Sequence, residues 1–310
     1  MTLGSALTLL QSAGELGLIS ALTVLALFLS YSMLNVCDLS TDGCFTLGAT
    51  VGAVVAIAGH PYLSLAAAMG AGIVSGFITA ILQTKMGINS LLAGIIVNTA
   101  LYSINIGVMG NSSVLNMNKT VTVFTKTQDL LKKVGMGGQF KLIVAAAAVL
   151  LVCIFLAFFL KTRLGLAIRA TGNNPDMVKS SSINPVFTTI VGLCIANSFT
   201  ALSGCLLAQS QKSVNIDIGT GMVTIALASL LIGGVFTSKR KIPVQIIGMV
   251  LGSFIFRLVY TVALRLDMPA FMLKFVSSVI VVIAISAPYL KQKMPLFKRR
   301  MSLKKERGTV

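Results

Sequence analysis

This 310-residue chain has eight acidic residues and one histidine with which to do chemistry. The acids are Glu15, Asp38, Asp42, Asp129, Asp176, Asp217, Asp267 and Glu306, and the histidine, His60, stands beside Pro61 in a short turn. One histidine in a turn cannot be assembled with a nucleophile and an orienting acid, and no Gly-x-Ser-x-Gly elbow occurs. It cannot build a multi-histidine metal site either. No G-x-x-x-x-G-K-[ST] phosphate loop is present, so the chain does not bind ATP by that device. The expectation is a non-enzyme with no metal or cofactor of its own.

The acids and hydroxyls fall instead where long apolar segments are interrupted. Asp38-Leu39-Ser40-Thr41-Asp42-Gly43 forms one break and Asp217-Ile218-Gly219-Thr220-Gly221 another. Asp38, Ser40, Thr41, Asp42, Asp217 and Thr220 are therefore candidates for lining a solute path. The same residue types are ordinary helix starts, so capping is the competing role. Asn98, in the middle of an apolar segment, is a further candidate, with interhelical hydrogen bonding as its alternative. Arg257 and Lys274 lie inside apolar segments, where a charge costs at least about 2.5 kcal/mol and must snorkel, pair or line a wet path. Lys274 is close enough to an end to snorkel; Arg257 stays divided between a structural pair and the path.

The elements that must position these residues are membrane spans. With 55% hydrophobic and 11% charged residues and a mean hydropathy of +0.92, the chain cannot clothe itself as a soluble domain. Apolar runs long enough to cross about 30 Å of hydrocarbon fall near 14–34, 45–59, 63–82, 90–110, 141–160, 186–209, 221–236, 243–264 and 270–290. The fold class expected is an all-α polytopic transmembrane bundle of about 8–10 spans. Two segments, 45–59 and 221–236, are short. Residues 1–290 read as one transmembrane domain and 291–310 as a basic tail. Five cysteines without CxxC spacing read as buried small hydrophobes, and Gly48, Gly52, Gly70, Gly72 and Gly76 as surfaces for close helix approach.

The net charge of +17 has its explanation in the connections rather than in nucleic acid, for no basic stripe with interleaved aromatics appears. Lys85, the stretch holding Lys161, Arg163, Arg169 and Lys179, the run Lys239-Arg240-Lys241 and the tail all fall on one face if every segment crosses. The positive-inside rule makes that face cytoplasmic, with the N-terminus outside and the C-terminus inside. Segments one to four and six to nine then form an inverted repeat around the fifth, each set opening with a long span, an acidic break and a short segment. The two short segments become half-helices with N-termini near mid-membrane. Such ends suit an anionic or carboxylate-bearing solute.

The connection 161–184 is the most informative. Asn174 as N-cap, Pro175 at the first helical position and Asp176 in the first turn start a short helix on the cytoplasmic face. It lies on lipid headgroups as an interfacial segment or docks on a cytoplasmic partner.

The run Leu164-Gly165-Leu166-Ala167-Ile168-Arg169-Ala170-Thr171-Gly172-Asn173-Asn174-Pro175 resembles the cytoplasmic loop of inner-membrane permeases of bacterial ABC importers of the branched-chain amino acid and ribose type. Three further stretches resemble that family: the Asp38–Gly43 break with Thr46-Leu47-Gly48-Ala49; Ile88-Asn89-Ser90-Leu91-Leu92-Ala93-Gly94; and Ile225 to Gly234. The four occur in the family's order, over about residues 15–290. Ser182-Ile183 stands where the family commonly has Gly-Ile. The acidic break and the segment Gln209 to Gly221 look most like permeases of aromatic amino acid uptake.

The resemblance implies that loop 161–184 is a coupling helix, with Arg169, Gly172, Asn173, Asn174, Pro175 and Asp176 against an ATP-binding cassette subunit that carries the ATP and magnesium. It also implies an extracytoplasmic solute-binding protein, a second permease chain (a homodimer or a similar chain) and the bacterial plasma membrane, for import of a small polar solute. A sugar or nucleoside importer, an ion-coupled secondary transporter and a scaffold without a path are the competing readings.

Overall fold

In hydrocarbon every backbone N–H and C=O must find a partner within the chain, and helices do this segment by segment. The computed structural model describes residues 3–132, 139–237 and 240–265, with isolated positions between 272 and 286. The ninth apolar segment, Lys274 and the basic tail lie outside the described residues. Eleven α-helices and one two-stranded ribbon make up the described part. They are α1 (Leu3–Leu27, continued by a π-helical stretch Phe28–Met33), α2 (Thr41–Ile57), α3 (Pro61–Thr84), α4 (Ser90–Val108), β1 (Val114–Asn116), α5 (Val123–Lys132), α6 (Phe140–Phe159), α7 (Arg163–Asn173), α8 (Pro175–Ser180), α9 (Pro185–Gln211), β2 (Ser213–Asn215), α10 (Met222–Thr237) and α11 (Ile242–Arg265).

Six helices, namely α1 with its π stretch, α3, α4, α6, α9 and α11, are long and apolar enough to cross a membrane. The chain is an all-α polytopic bundle. Eight of the nine expected segments coincide with helices to within a few residues, apart from α1, which begins well ahead of residue 14. The ribbon, α5 and the division of loop 161–184 into α7 and α8 were not foreseen.

α1 and α9 form the centre, each mostly buried, whereas α6 turns much of its surface outward. α2 packs on α3 and α10 on α11, while α1 lies against α11 and α9 against α3. This exchange of partners is the arrangement an internal repeat would produce. Small residues permit the approach: a side chain at Gly48 would strike the backbone of Ala201, and one at Gly72 or Gly76 the backbone of Asn197 or Leu193, all on α9. A side chain at Gly52 would strike the Cys205 side chain instead. Gly70 differs from the expectation, because it faces open space. Without a hydrophobic force between helices in lipid, such close approach and buried hydrogen bonds are what bind spans together. Ser203 donates to the carbonyl of Ile19 at 2.6 Å and Ser253 to that of Gly17 at 2.7 Å.

The two ends of the bundle differ. At one, α7 lies against the end of the π stretch, with Gly172 meeting Met33 and Leu34, and against the start of α9 through Thr171 and Thr188, 2.8 Å apart. At the other, β1 pairs antiparallel with β2, joining the end of α4 to the end of α9, and the Val123 N–H of α5 donates to Gln209 at 2.9 Å. Both ion pairs among the described residues are at these ends and exposed: Asp129 with Lys132 and Asp176 with Lys179.

Candidate functional site

α2 and α10 have 17 and 16 residues, which at 1.5 Å per residue give about 24–26 Å, short of a full span. The start of α2 lies at half depth. The Cys44 thiol donates to the carbonyl of Asn197, near the middle of the 27-residue α9, and Gly43 adjoins Asn98 and Leu101, near the middle of α4. α10 begins at the same level, because the Asp42 carboxylate accepts from the N–H groups of Gly221 at 2.9 Å and Val223 at 2.8 Å. The two acidic breaks, far apart in sequence, are thus one structure.

Gly221 can offer its N–H to Asp42 because it takes φ +85°, a conformation that costs a residue with a Cβ roughly 1–2 kcal/mol. Gly219 is held against Asp42 and Thr46 so closely that a Cβ there would overlap the Asp42 carbonyl and the Thr46 hydroxyl.

The first break closes on itself. Asp38 accepts from the Ser40 N–H at 2.8 Å and from Asn197 Nδ2 at 2.9 Å, and Thr41 Oγ1 donates to the Asp38 carbonyl at 2.9 Å. Asp38, Ser40 and Thr41 are all buried. Each short helix therefore begins against a carboxylate of this same chain, Asp38 for α2 and Asp42 for α10. The expected opening for an anionic solute at these N-termini is already filled: a negative group there would displace or repel a bonded carboxylate.

Beside Asp42 opens a polar cavity of about 420 Å³, between α2, α4 and the connection 216–220. Asp42, Asn98, Asp217 and Thr220 line it, so four of the eight residues expected on a path come together. Asp38, Ser40, Thr41 and Arg257 are not among the lining residues. Arg257, left divided between a structural pair and the path, takes no part in the cavity wall. Buried between α11 and α1, it donates through Nε to Ser20 at 2.9 Å and stacks over Tyr260 on its own helix. No carboxylate is near enough to pair with it among the described residues.

The sequence reading missed Thr46, Thr99, Tyr102, Ser103 and Asn105, which complete the wall. Their signal was present: within Asn98–Asn105 the polar residues recur at one, four, five and seven positions, the spacing of one helical face. Asn105 is fully buried, donates to the Gly43 carbonyl at 3.2 Å and leaves its Oδ1 without a partner. Tyr102, in the wall, and the apolar Leu92, Ile95, Ile96 and Ile104 of the same helix are exposed.

In loop 161–184, Asn174 accepts from the N–H groups of Asp176 and Met177, both at 3.1 Å, the capping read from the sequence. Thr162 caps α7 through the Gly165 N–H. α7 buries Gly165, Ala167, Ile168 and Thr171, and Gly172 also faces inward. Asn173, Asn174, Pro175, Asp176 and Met177 are exposed, and Arg169 is half-buried.

Six helices long enough to span and two shorter ones that begin together beside a polar cavity are the outline of a multi-pass membrane permease. The comparisons place it further. Residues 13–285 match the family model for the branched-chain amino acid transport system / permease component, and the chain belongs to that family. It is 33% identical over 267 residues to a tyrosine transport system permease protein of Clostridioides difficile, covering 86% of each chain. It is 26% identical to the ribose import permease protein RbsC of Escherichia coli, over 82% of this chain and 78% of that one. An uncharacterized protein of Rickettsia prowazekii is 31% identical over 73% of this chain and 77% of its own length. No solved structure matches. The characterised relatives are components of transport systems, not enzymes, and the family comprises permeases of amino acid and sugar systems.

Proposed function

We propose that this chain is the translocation subunit of an ATP-driven importer of a small polar solute, an amino acid and most favourably an aromatic one. The observation that carries the reading is the polar cavity where two short helices begin, since in lipid such groups are retained only where they line a path or are fully satisfied. The cavity opens on the exposed face of α4, and a second copy of this chain, or a similar one, closes it from the other side.

The end carrying α7 and α8 is cytoplasmic in this reading, because the connections that hold Lys85, Lys161, Arg163, Arg169, Lys179, Arg240 and Lys241 share one face if every segment crosses. The N-terminus is then outside and the tail inside the bacterial plasma membrane. An ATP-binding cassette subunit, which holds the ATP and magnesium, docks on α8 through Asn173, Asn174, Pro175 and Asp176, with Arg169 at the edge. An extracytoplasmic binding protein delivers solute to the ribbon end. Closure of the ATPases shifts α7 and α8, and the bundle answers by rocking one set of helices against the other.

The test is purification of the tagged chain from its native membrane with its partners, followed by ATPase and uptake assays over a panel of amino acids and sugars. Recovery of an ATP-binding subunit, lost when loop 161–184 is altered, supports the reading. Uptake by this chain alone after reconstitution overturns it in favour of a secondary transporter. A sugar taken up in place of an amino acid keeps the machine and changes its cargo, as the likeness to the ribose permease allows.

A further inference from the structure

The chemistry of the cavity wall is one-sided. Asp42 spends both carboxylate oxygens on α10, but its charge remains at the wall. Asp217, exposed in the connection, has a carboxylate with no partner among the described residues; its own N–H is the group that is bonded, to Asn215. Asn105, also in the wall, spends its amide nitrogen on the Gly43 carbonyl and keeps its Oδ1 behind the accessible surface. No Lys, Arg or His lines the cavity.

We infer that the cavity receives its solute by a positively charged, hydrogen-bond-donating end, an ammonium group above all, which meets the Asp217 carboxylate. The inference rests on reading the cavity as the solute path. It adds that anions are turned away: a carboxylate or phosphate would find two negative charges and no cation to offset them. In a zwitterion the amino group is the end read here. Two unit charges 4 Å apart interact by about 1 kcal/mol in water and about 4 kcal/mol at an effective dielectric of 20, enough to select by sign in a partly wet site.

The experiment measures charge selection directly, in the full chain within native membrane vesicles. Thr99→Cys and, separately, Ser103→Cys place a thiol on the wall, and Ser112→Cys places one on the exposed loop after α4 as reference. Each is treated with a trimethylammonium and a sulfonate methanethiosulfonate of similar size, both membrane-impermeant, with the parent chain as blank. The ratio of cationic to anionic modification rates at the wall should exceed that at Ser112→Cys by about tenfold, and Asp217→Asn should bring it to within about threefold. Equal ratios at wall and loop, or a preference for the sulfonate, overturn the inference, as does silence of both wall thiols toward both reagents. A cation preference in a chain that captures no ATP-binding subunit would leave this inference standing and remove the importer reading. Capture without the preference would do the reverse.

Discussion

The carboxylate of Asp42, in the first turn of α2, accepts the backbone N–H of Val223, in the first turn of α10, at 2.8 Å across 181 residues of sequence. With the second bond from Gly221, one side chain fixes the relative position of both short helices. Hydrogen bonds to a charged group contribute about 1.5–3 kcal/mol each, and their loss leaves helix-terminal N–H groups unpaired within the membrane. Asp42→Ala should therefore lower stability by about 3 kcal/mol, while Asp42→Asn, which retains one acceptor, should lose about half of that. Thermal unfolding in detergent, followed by loss of the monodisperse peak, would check the order. Equal stability of Asp42→Ala and the parent would mean that other contacts hold α10.

Glycine substitutions divide by what faces them. Gly72→Val should abolish recovery of folded protein, because the new side chain meets the Asn197 backbone, and a helix cannot retreat without opening the α3–α9 seam. Gly70→Val, two residues away and facing open space, should leave yield and melting temperature near those of the parent. Comparable losses from both would show that helix propensity, not packing, governs α3.

Arg257 is expected to be structural. Arg257→Met keeps the length of the side chain and removes a buried charge that has no carboxylate near it, so stability should be unchanged or higher. Uptake by the assembled transporter should remain within about twofold of the parent, a change of under ~0.5 kcal/mol. A tenfold fall in uptake with the fold intact would return Arg257 to the path.

For the loop, Asn174→Ala with Pro175→Ala removes the cap and the preset first turn of α8, at about 1 kcal/mol for the cap. Because α7 keeps its seat on Met33 and Leu34, the chain should insert and fold normally. ATP hydrolysis by the assembled complex should lose its dependence on solute-loaded binding protein, and uptake should fall. Coupling unchanged in this variant would deprive α8 of the docking role.

Much of this was written plainly in the sequence. Apolar length located the spans because in lipid the whole segment must be apolar, and Asn174-Pro175-Asp176 announced α8 because capping is local chemistry. The two acidic breaks were visible too, but not their meeting: the bond from Asp42 to α10 is long-range and leaves no local pattern. For the same reason the anion site expected at the helix N-termini was mistaken, since nothing near Asp217 or Thr220 says that Asp42 already occupies that place. Arg257 was ambiguous because a charge in a span reads the same in both roles until Ser20 is seen beside it. The wall of α4 could have been found, had Thr99, Tyr102, Ser103 and Asn105 been weighed together with Asn98 as one helical face.

The short ribbon at the end opposite α7 and α8 has a further consequence. β1 follows α4 and β2 precedes the connection 216–220, and beyond their three paired positions the Ile216 N–H also donates to Ser113 and the Met117 N–H to Lys212. Two of the cavity's three walls are thereby stitched into a single frame. They cannot part without breaking a row of backbone bonds. The remaining wall, α2, is tied to the start of α10 by the two bonds of Asp42 and to α9 by its glycines.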